Sequence, residues 1–246
     1  MTWSYSRIKS FGDCPYGWFC RYIRGEKEAP MFYASYGSFI HSLLRRFYDG
    51  ELSKEELPVE FLLHFSTEVR GERPAQSTVV KYIHSGHDYL KNFEPFPYNV
   101  LGVEKELHFD LDGVPFVAYV DFIGEKDGKL VILDHKSREL KPRSGKKKPT
   151  AKDQELDVIL RQLYLYAHGV RQISGDFPSL LCVNSFRNGN LIEEPFRESA
   201  YQESMDWAKR EIEEISAEED FRPQTDYFQC RYLCGFHHDC CFWQGG

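Results

Sequence analysis

Apolar positions recur at helical spacing from about residue 35 to 49, where Phe39, Ile40, Leu43, Leu44 and Phe47 line one face of "SYGSFIHSLLRRFYDG" and Gly50 supplies a stop. Two further segments between residues 54 and 93, "KEELPVEFLLHFSTEVR" and "STVVKYIHSGHDYLKNF", keep the helical pattern until Pro95 and Pro97 break it. The period then changes. "VEKELHFDL" alternates, Asp112-Gly113 is a two-residue turn signal, "VPFVAYVDFIG" is a second strand, "EKDGK" is another turn and "LVILDHKS" is a third strand. Together they predict a three-stranded antiparallel meander. "ELDVILRQLYLYAHGV" returns to helical spacing, "SLLCVNSF" reads as one more strand, and "ESMDWAKREIEEISAEED" is an amphipathic helix with an acidic outer face. This order predicts an α/β fold, a mixed central sheet flanked by helices. No internal repeat and no clear linker interrupts it, so a single domain is expected over 1–246, with about 51–95 as a helical insertion.

The third strand is built for burial yet ends on Asp134, His135 and Lys136. Side chains alternate along a strand, so Asp134 and Lys136 share one face with Ile132, while Leu133 and His135 take the other. The carboxylate and the ammonium are thereby held about 6 to 7 Å apart along the backbone. The hairpin through "EKDGK" folds Asp121 back toward the same end. Two carboxylates brought together at neutral pH repel unless a cation neutralises them, and oxygen ligands suit Mg²⁺ or Mn²⁺. Such an ion activates water and polarises a phosphoryl oxygen, and a lysine beside it stabilises developing charge: the chemistry of phosphodiester hydrolysis. Taken alone, an acid two residues from a lysine is an ordinary ion pair of little energetic weight.

Composition changes the picture in three places. At 41% hydrophobic and 15% aromatic the chain is globular, and no stretch approaches the roughly 18 apolar residues of a membrane span. "MTWSYSRIKSFGDCP" lacks a secretory apolar core, so a soluble, cytoplasmic protein is expected, with no membrane partner. The net charge of −7 does not itself announce a nucleic-acid binder. The loop "LKPRSGKKKPTAK", with Lys141, Arg143, Lys146, Lys147 and Lys148, is the local exception and a candidate contact for a polyanion. Thiols in a reducing compartment point to metal binding rather than disulfides. Cys14 and Cys20 lie early in the chain, and Cys230, Cys234, Cys240 and Cys241 lie late. Iron-sulfur and zinc both suit such a set, and His237 or His238 could serve in a zinc site. Cys182, inside an apolar strand, is expected in the core.

Four motifs occur in order: Gly37-Ser38-Phe39-Ile40-His41 on a helix, Asp121 on a strand, Asp134-His135-Lys136 on the next, and Gln162-Leu163-Tyr164-Leu165-Tyr166 on a later helix. In this order they resemble the PD-(D/E)XK nuclease superfamily, specifically its RecB-like branch, and are similar to CRISPR-associated RecB-like exonucleases with an iron-sulfur cluster. The resemblance implies a restriction-endonuclease-like core. It implies His41, Asp121 and Asp134 as ligands of Mg²⁺ or Mn²⁺, with the His135 backbone carbonyl as a fourth, Lys136 as the catalytic lysine, and Gln162 and Tyr166 beside it. A glutamate on the first strand is also implied; Glu106 fits best and Glu104 competes. Val120 stands where the superfamily name has proline, and Ala118 where many relatives have glycine. The resemblance further implies a [4Fe-4S] cluster on Cys14, Cys230, Cys234 and Cys240, joining the chain termini. The Cys230–Cys234 gap is one residue longer than usual, Cys241 could replace Cys240, and zinc remains the alternative metal. The implied activity is that of a metal-dependent DNA nuclease, an exonuclease on single strands or duplex ends, in recombination, repair, phage or CRISPR-adaptation processes with their protein partners. The alternatives are a catalytically silent nucleic-acid-binding or assembly subunit, and a zinc-stapled protein of unrelated activity.

Overall fold

Two aspartate-glycine turns set the register of the sheet. In the computed structural model, which describes residues 1–243, Asp112 and Gly113 take φ of 51° and 89°, and Asp127 and Gly128 take 53° and 74°. This left-handed pair is what a two-residue hairpin connection requires, and Asp-Gly accepts it at low cost. The first turn joins β1 (Asn99–Leu111) to β2 (Val114–Lys126), and the second joins β2 to β3 (Lys129–Lys136). Both pairings are antiparallel. The expected meander therefore forms, with its first strand starting at Asn99 rather than 103.

A parallel neighbour needs a long crossover, and α6 (Ala151–Ser174) supplies it. Its start is held by a capping box in which Thr150 and Asp153 exchange side-chain and backbone hydrogen bonds. β4 (Leu180–Ser185) then lies parallel to β3, and β5 (Asn190–Pro195) runs antiparallel to β4, giving the order β1-β2-β3-β4-β5. The expected α/β fold with a mixed central sheet is what forms.

Each face of the sheet carries its own core. On one, Phe116, Ala118, Val120 and Ile132 pack with α1 (Tyr5–Asp13), α2 (Pro15–Tyr22), α6 and α7 (Glu198–Ala217). On the other, Phe122, Leu133 and Cys182 pack with α3 (Phe32–Tyr48), α4 (Glu56–Glu68) and α5 (Gln76–Lys91). Cys182 is thus a core residue, as expected. The strand β2 changes phase at one point: Val120 faces the first core, Phe122 the second, and Ile123 packs against the first again. Asp121 sits at that slip. Four elements were not expected from the pattern: α1, α2, β5 and a five-residue helical turn at Gln229–Leu233. Pro15 occupies the first turn of α2, where its missing N–H costs nothing, and Cys14 caps that helix; the break between α1 and α2 hides two short helices. β5 is a short edge strand whose pairing comes from tertiary contact with β4.

Candidate active site

The register counted from the two turns delivers three carboxylates to one end of the sheet. The β2–β3 ladder stops at Phe122↔Leu133, one step short of Asp121 and Asp134. On the other side of β2, Glu104 stands across from Asp121, between the pairs Val103↔Phe122 and Lys105↔Val120. Glu104 has a φ of 48°, a conformation uncommon for a residue with a Cβ. Helix α3 packs across this end and brings His41 down onto the acids. His41 Nδ1 lies 3.4 Å from Asp121 Oδ1 and 3.9 Å from Glu104 Oε1. One ligand atom from each of His41, Glu104 and Asp121 falls within 4.8 Å of the others.

Asp121 is buried, and its Oδ2 accepts the His135 backbone N–H at 2.6 Å. That bond leaves Oδ1 turned to His41. Burial alone would push the Asp121 carboxyl up, but His41 and the His135 amide outweigh it and hold the group well below the usual carboxylate range. His41 moves the opposite way: burial disfavours its charge, yet Asp121, Asp134 and Glu104 together raise its pKa. Glu104 is raised by burial and by Asp121, against the pull of His41.

Asp134 and Lys136 occupy the α6 side. Gln162 Nε2 donates to Asp134 Oδ1 at 2.9 Å, and Lys136 Nζ donates to Gln162 Oε1 at 2.9 Å, so one amide ties acid to lysine. Gln162 also donates to the Tyr166 hydroxyl at 2.6 Å. Asp134 Oδ2 is paired with the Lys136 ammonium at 2.5 Å. Burial raises the Asp134 pKa, Lys136 opposes this, and the nearby Asp121 adds to it. The imidazole of His41 and the carboxylates of Glu104 and Asp121, with ligand atoms within 4.8 Å of one another, are a donor set that a divalent ion fits, and Asp134 stands beside them paired with Lys136. The His135 ring lies on the α3 side, its centroid 5.0 Å from that of His41, and Asn184 donates to its Nδ1 at 2.9 Å. Burial depresses its pKa to about 3, so the ring stays neutral.

Glu106, the first-strand acid expected from the sequence, does not reach this site. It is exposed and accepts a hydrogen bond from His108 at 2.7 Å. Counting back from the Asp112-Gly113 turn identifies Glu104 as the residue opposite Asp121; the alternation of the strand alone did not. In the basic loop, Arg143 is tied to Asp157 and Glu194, whereas Lys141, Lys146, Lys147 and Lys148 are exposed.

Away from these carboxylates in the sequence, Cys14, Cys230, Cys234 and Cys240 line one cavity of about 270 Å³, walled in part by Trp18 and Phe236. Cys20 and Cys241 do not line it; Cys241 is exposed, 3.9 Å from the Tyr16 hydroxyl. Burial pushes the Cys230 and Cys234 thiols up, and the neighbouring thiols push them further. Among the described residues no three of these sulfurs lie within 4.8 Å of one another. Four thiolates around a single zinc at about 2.3 Å would sit about 3.8 Å apart.

The family model for the PD-(D/E)XK nuclease superfamily matches residues 2–241. A solved structure from Eubacterium rectale, described as a putative exonuclease, is 15% identical with a TM-score of 0.55, covering 97% of this chain and 87% of that one. At that identity the likeness speaks for the fold. A second solved structure, of SSO0001, is 17% identical and covers 97% of this chain and 96% of that one, but its TM-score of 0.32 carries no argument. No curated protein matches the chain.

Proposed function

Because the chain belongs to the PD-(D/E)XK nuclease superfamily, we propose that it is a divalent-metal-dependent deoxyribonuclease, an exonuclease acting on single strands or duplex ends. The observation that carries this reading is the convergence of His41, Glu104 and Asp121 within 4.8 Å at the sheet end where Asp134 pairs with Lys136.

His41, Asp121 and Asp134 would hold Mg²⁺ or Mn²⁺, with the His135 carbonyl and with Glu104 in the place first given to Glu106. The bound ion would lower the pKa of a coordinated water and polarise the scissile phosphate. The chain's own groups do the positioning. The His135 amide fixes the Asp121 carboxylate. Gln162 hydrogen-bonds to Lys136, Asp134 and Tyr166 and so ties the lysine to the acid. Lys136 thereby presents its ammonium to charge gathering on the phosphate. Neutral His135 adds no competing positive charge. Lys141, Lys146, Lys147 and Lys148, exposed just beyond Lys136 in sequence, suit contact with the DNA backbone.

Cys14, Cys230, Cys234 and Cys240 would hold a [4Fe-4S] cluster, with zinc as the alternative; that all four line one cavity supports a shared metal site. It would serve as a staple between early and late segments. A cytoplasmic enzyme of recombination, repair, phage or CRISPR adaptation fits these features. No helix among the described residues is long and apolar enough to cross a membrane. Incubation with 5′- and 3′-labelled single- and double-stranded DNA tests the reading. Degradation from an end in Mg²⁺ or Mn²⁺, stopped by chelator, is expected. Binding without any turnover would favour the silent subunit instead.

A further inference from the structure

Glu72, on the loop between α4 and α5, meets His237 and His238 of the C-terminal segment, and one ligand atom from each lies within 4.8 Å of the others. His237 is 4% exposed. Its Nδ1 lies 2.7 Å from the Cys234 carbonyl oxygen. A carbonyl only accepts, so Nδ1 carries the hydrogen, which in the neutral ring leaves the lone pair on Nε2. That Nε2 is buried and has no hydrogen-bond partner among the described residues. Its neighbour is Glu72 Oε2 at 3.7 Å, another lone-pair bearer. Arg231 takes the other oxygen of Glu72, which fixes the carboxylate with Oε2 toward the imidazole. An imidazole whose Nδ1–H is anchored on a carbonyl while Nε2 stays free has the arrangement usual for a metal-binding histidine.

The two loops are also pressed onto one short segment. A Cβ at Gly71 would lie 2.4 Å from the Pro30 carbonyl oxygen, and one at Gly235 would lie 2.5 Å from that of Ala29. Both approaches require glycine, and they place Glu72 and the histidine pair side by side before any ion arrives. Ala29 N–H further donates to the Gly235 carbonyl.

We propose that Glu72, His237 and His238 form a site for one zinc-class divalent ion, which clamps the α4–α5 loop to the cysteine-bearing C-terminal segment. Two imidazoles and one carboxylate suit Zn²⁺ and leave a fourth position for water. The site needs neither nuclease turnover nor iron, so it stands or falls separately from the function proposed above.

The test is zinc binding by the full chain, purified anaerobically, in a His41→Ala, Asp121→Asn background that blanks the sheet-end ligands. One zinc per chain is expected, with nitrogen and oxygen neighbours at about 2.0 to 2.1 Å by zinc-edge X-ray absorption. His238→Ala and Glu72→Gln should each weaken it at least about tenfold in chelator competition. His238 is exposed and Glu72→Gln keeps an oxygen for Arg231, so both variants keep the fold. No zinc beyond any held on sulfur at about 2.3 Å, or an affinity for the nitrogen- and oxygen-bound ion unchanged in either variant, would overturn the proposal.

Discussion

The sheet end and the thiol cavity both gather metal-ligand side chains, but one is finished by the fold and the other is not. At the sheet end, Asp121 is met by a backbone amide and His41, and Asp134 by Gln162 and Lys136. At the cavity the sulfurs line open space and are met, among the described residues, only by backbone groups, the Gly17 N–H on Cys14 at 3.4 Å and the backbone of Asp226 and Phe236 at Cys230 and Cys234. Strand pairing places the first set to within a residue. The second set comes from segments more than two hundred residues apart, and the geometry of its thiols is left to what they bind. Removing metal from the sheet end should therefore stop chemistry and spare the fold, while emptying the cavity should loosen the fold.

The largest effect expected is at the sheet end. Asp121→Asn should cut divalent-dependent DNA degradation at least about a hundredfold, while thermal unfolding stays near wild type; a large fall in the midpoint would erase the contrast. Next in size is the cavity. Cys234→Ser should lose the bound metal and cost a few kcal/mol of stability, on the order seen when a cross-link closing a long loop is removed; an unchanged midpoint and iron content would show that nothing is stapled there. A finer comparison lies within β1. Glu104→Gln should weaken Mn²⁺ binding roughly tenfold, and Glu106→Gln should change neither binding nor stability beyond about 0.5 kcal/mol; the reverse order would return the site to Glu106. The smallest effect concerns the cap of α6. Hydrogen bonds from Ser144 and Thr150 hold the Asp153 carboxyl well below the usual carboxylate range. Its contribution is full above the unfolded value of 3.8 and fades as pH falls below it. The stability gap between wild type and Asp153→Asn should accordingly narrow in acid; a gap that widens would contradict the assignment.

Much of this was legible before any coordinates. Asp112-Gly113 and Asp127-Gly128 can be read as turns, and counting outward from them pairs Asp121 with both Glu104 and Asp134. The ordered motifs around His41, Lys136 and Gln162 supplied the helices that close over that end. What alternation could not tell was which of Glu104 and Glu106 faces inward, because β2 slips phase at Asp121 and β1 takes a left-handed residue opposite it. The cavity was legible in residue type but not in choice: Cys240 and Cys241 are adjacent, and only packing turns one in and the other out. Arg143 looked like part of a DNA-facing loop, yet two carboxylates on neighbouring elements claim it. The pairing of Glu72 with His237 has no local signature at all, since it depends on two glycines packing against residues 28 to 32.

Lys136→Ala, assayed on end-labelled DNA with Mg²⁺ or Mn²⁺ beside a thermal unfolding curve, tests the centre of the account. Removing the ammonium should abolish degradation while the protein remains folded and still binds the ion. Full activity in that variant would contradict it.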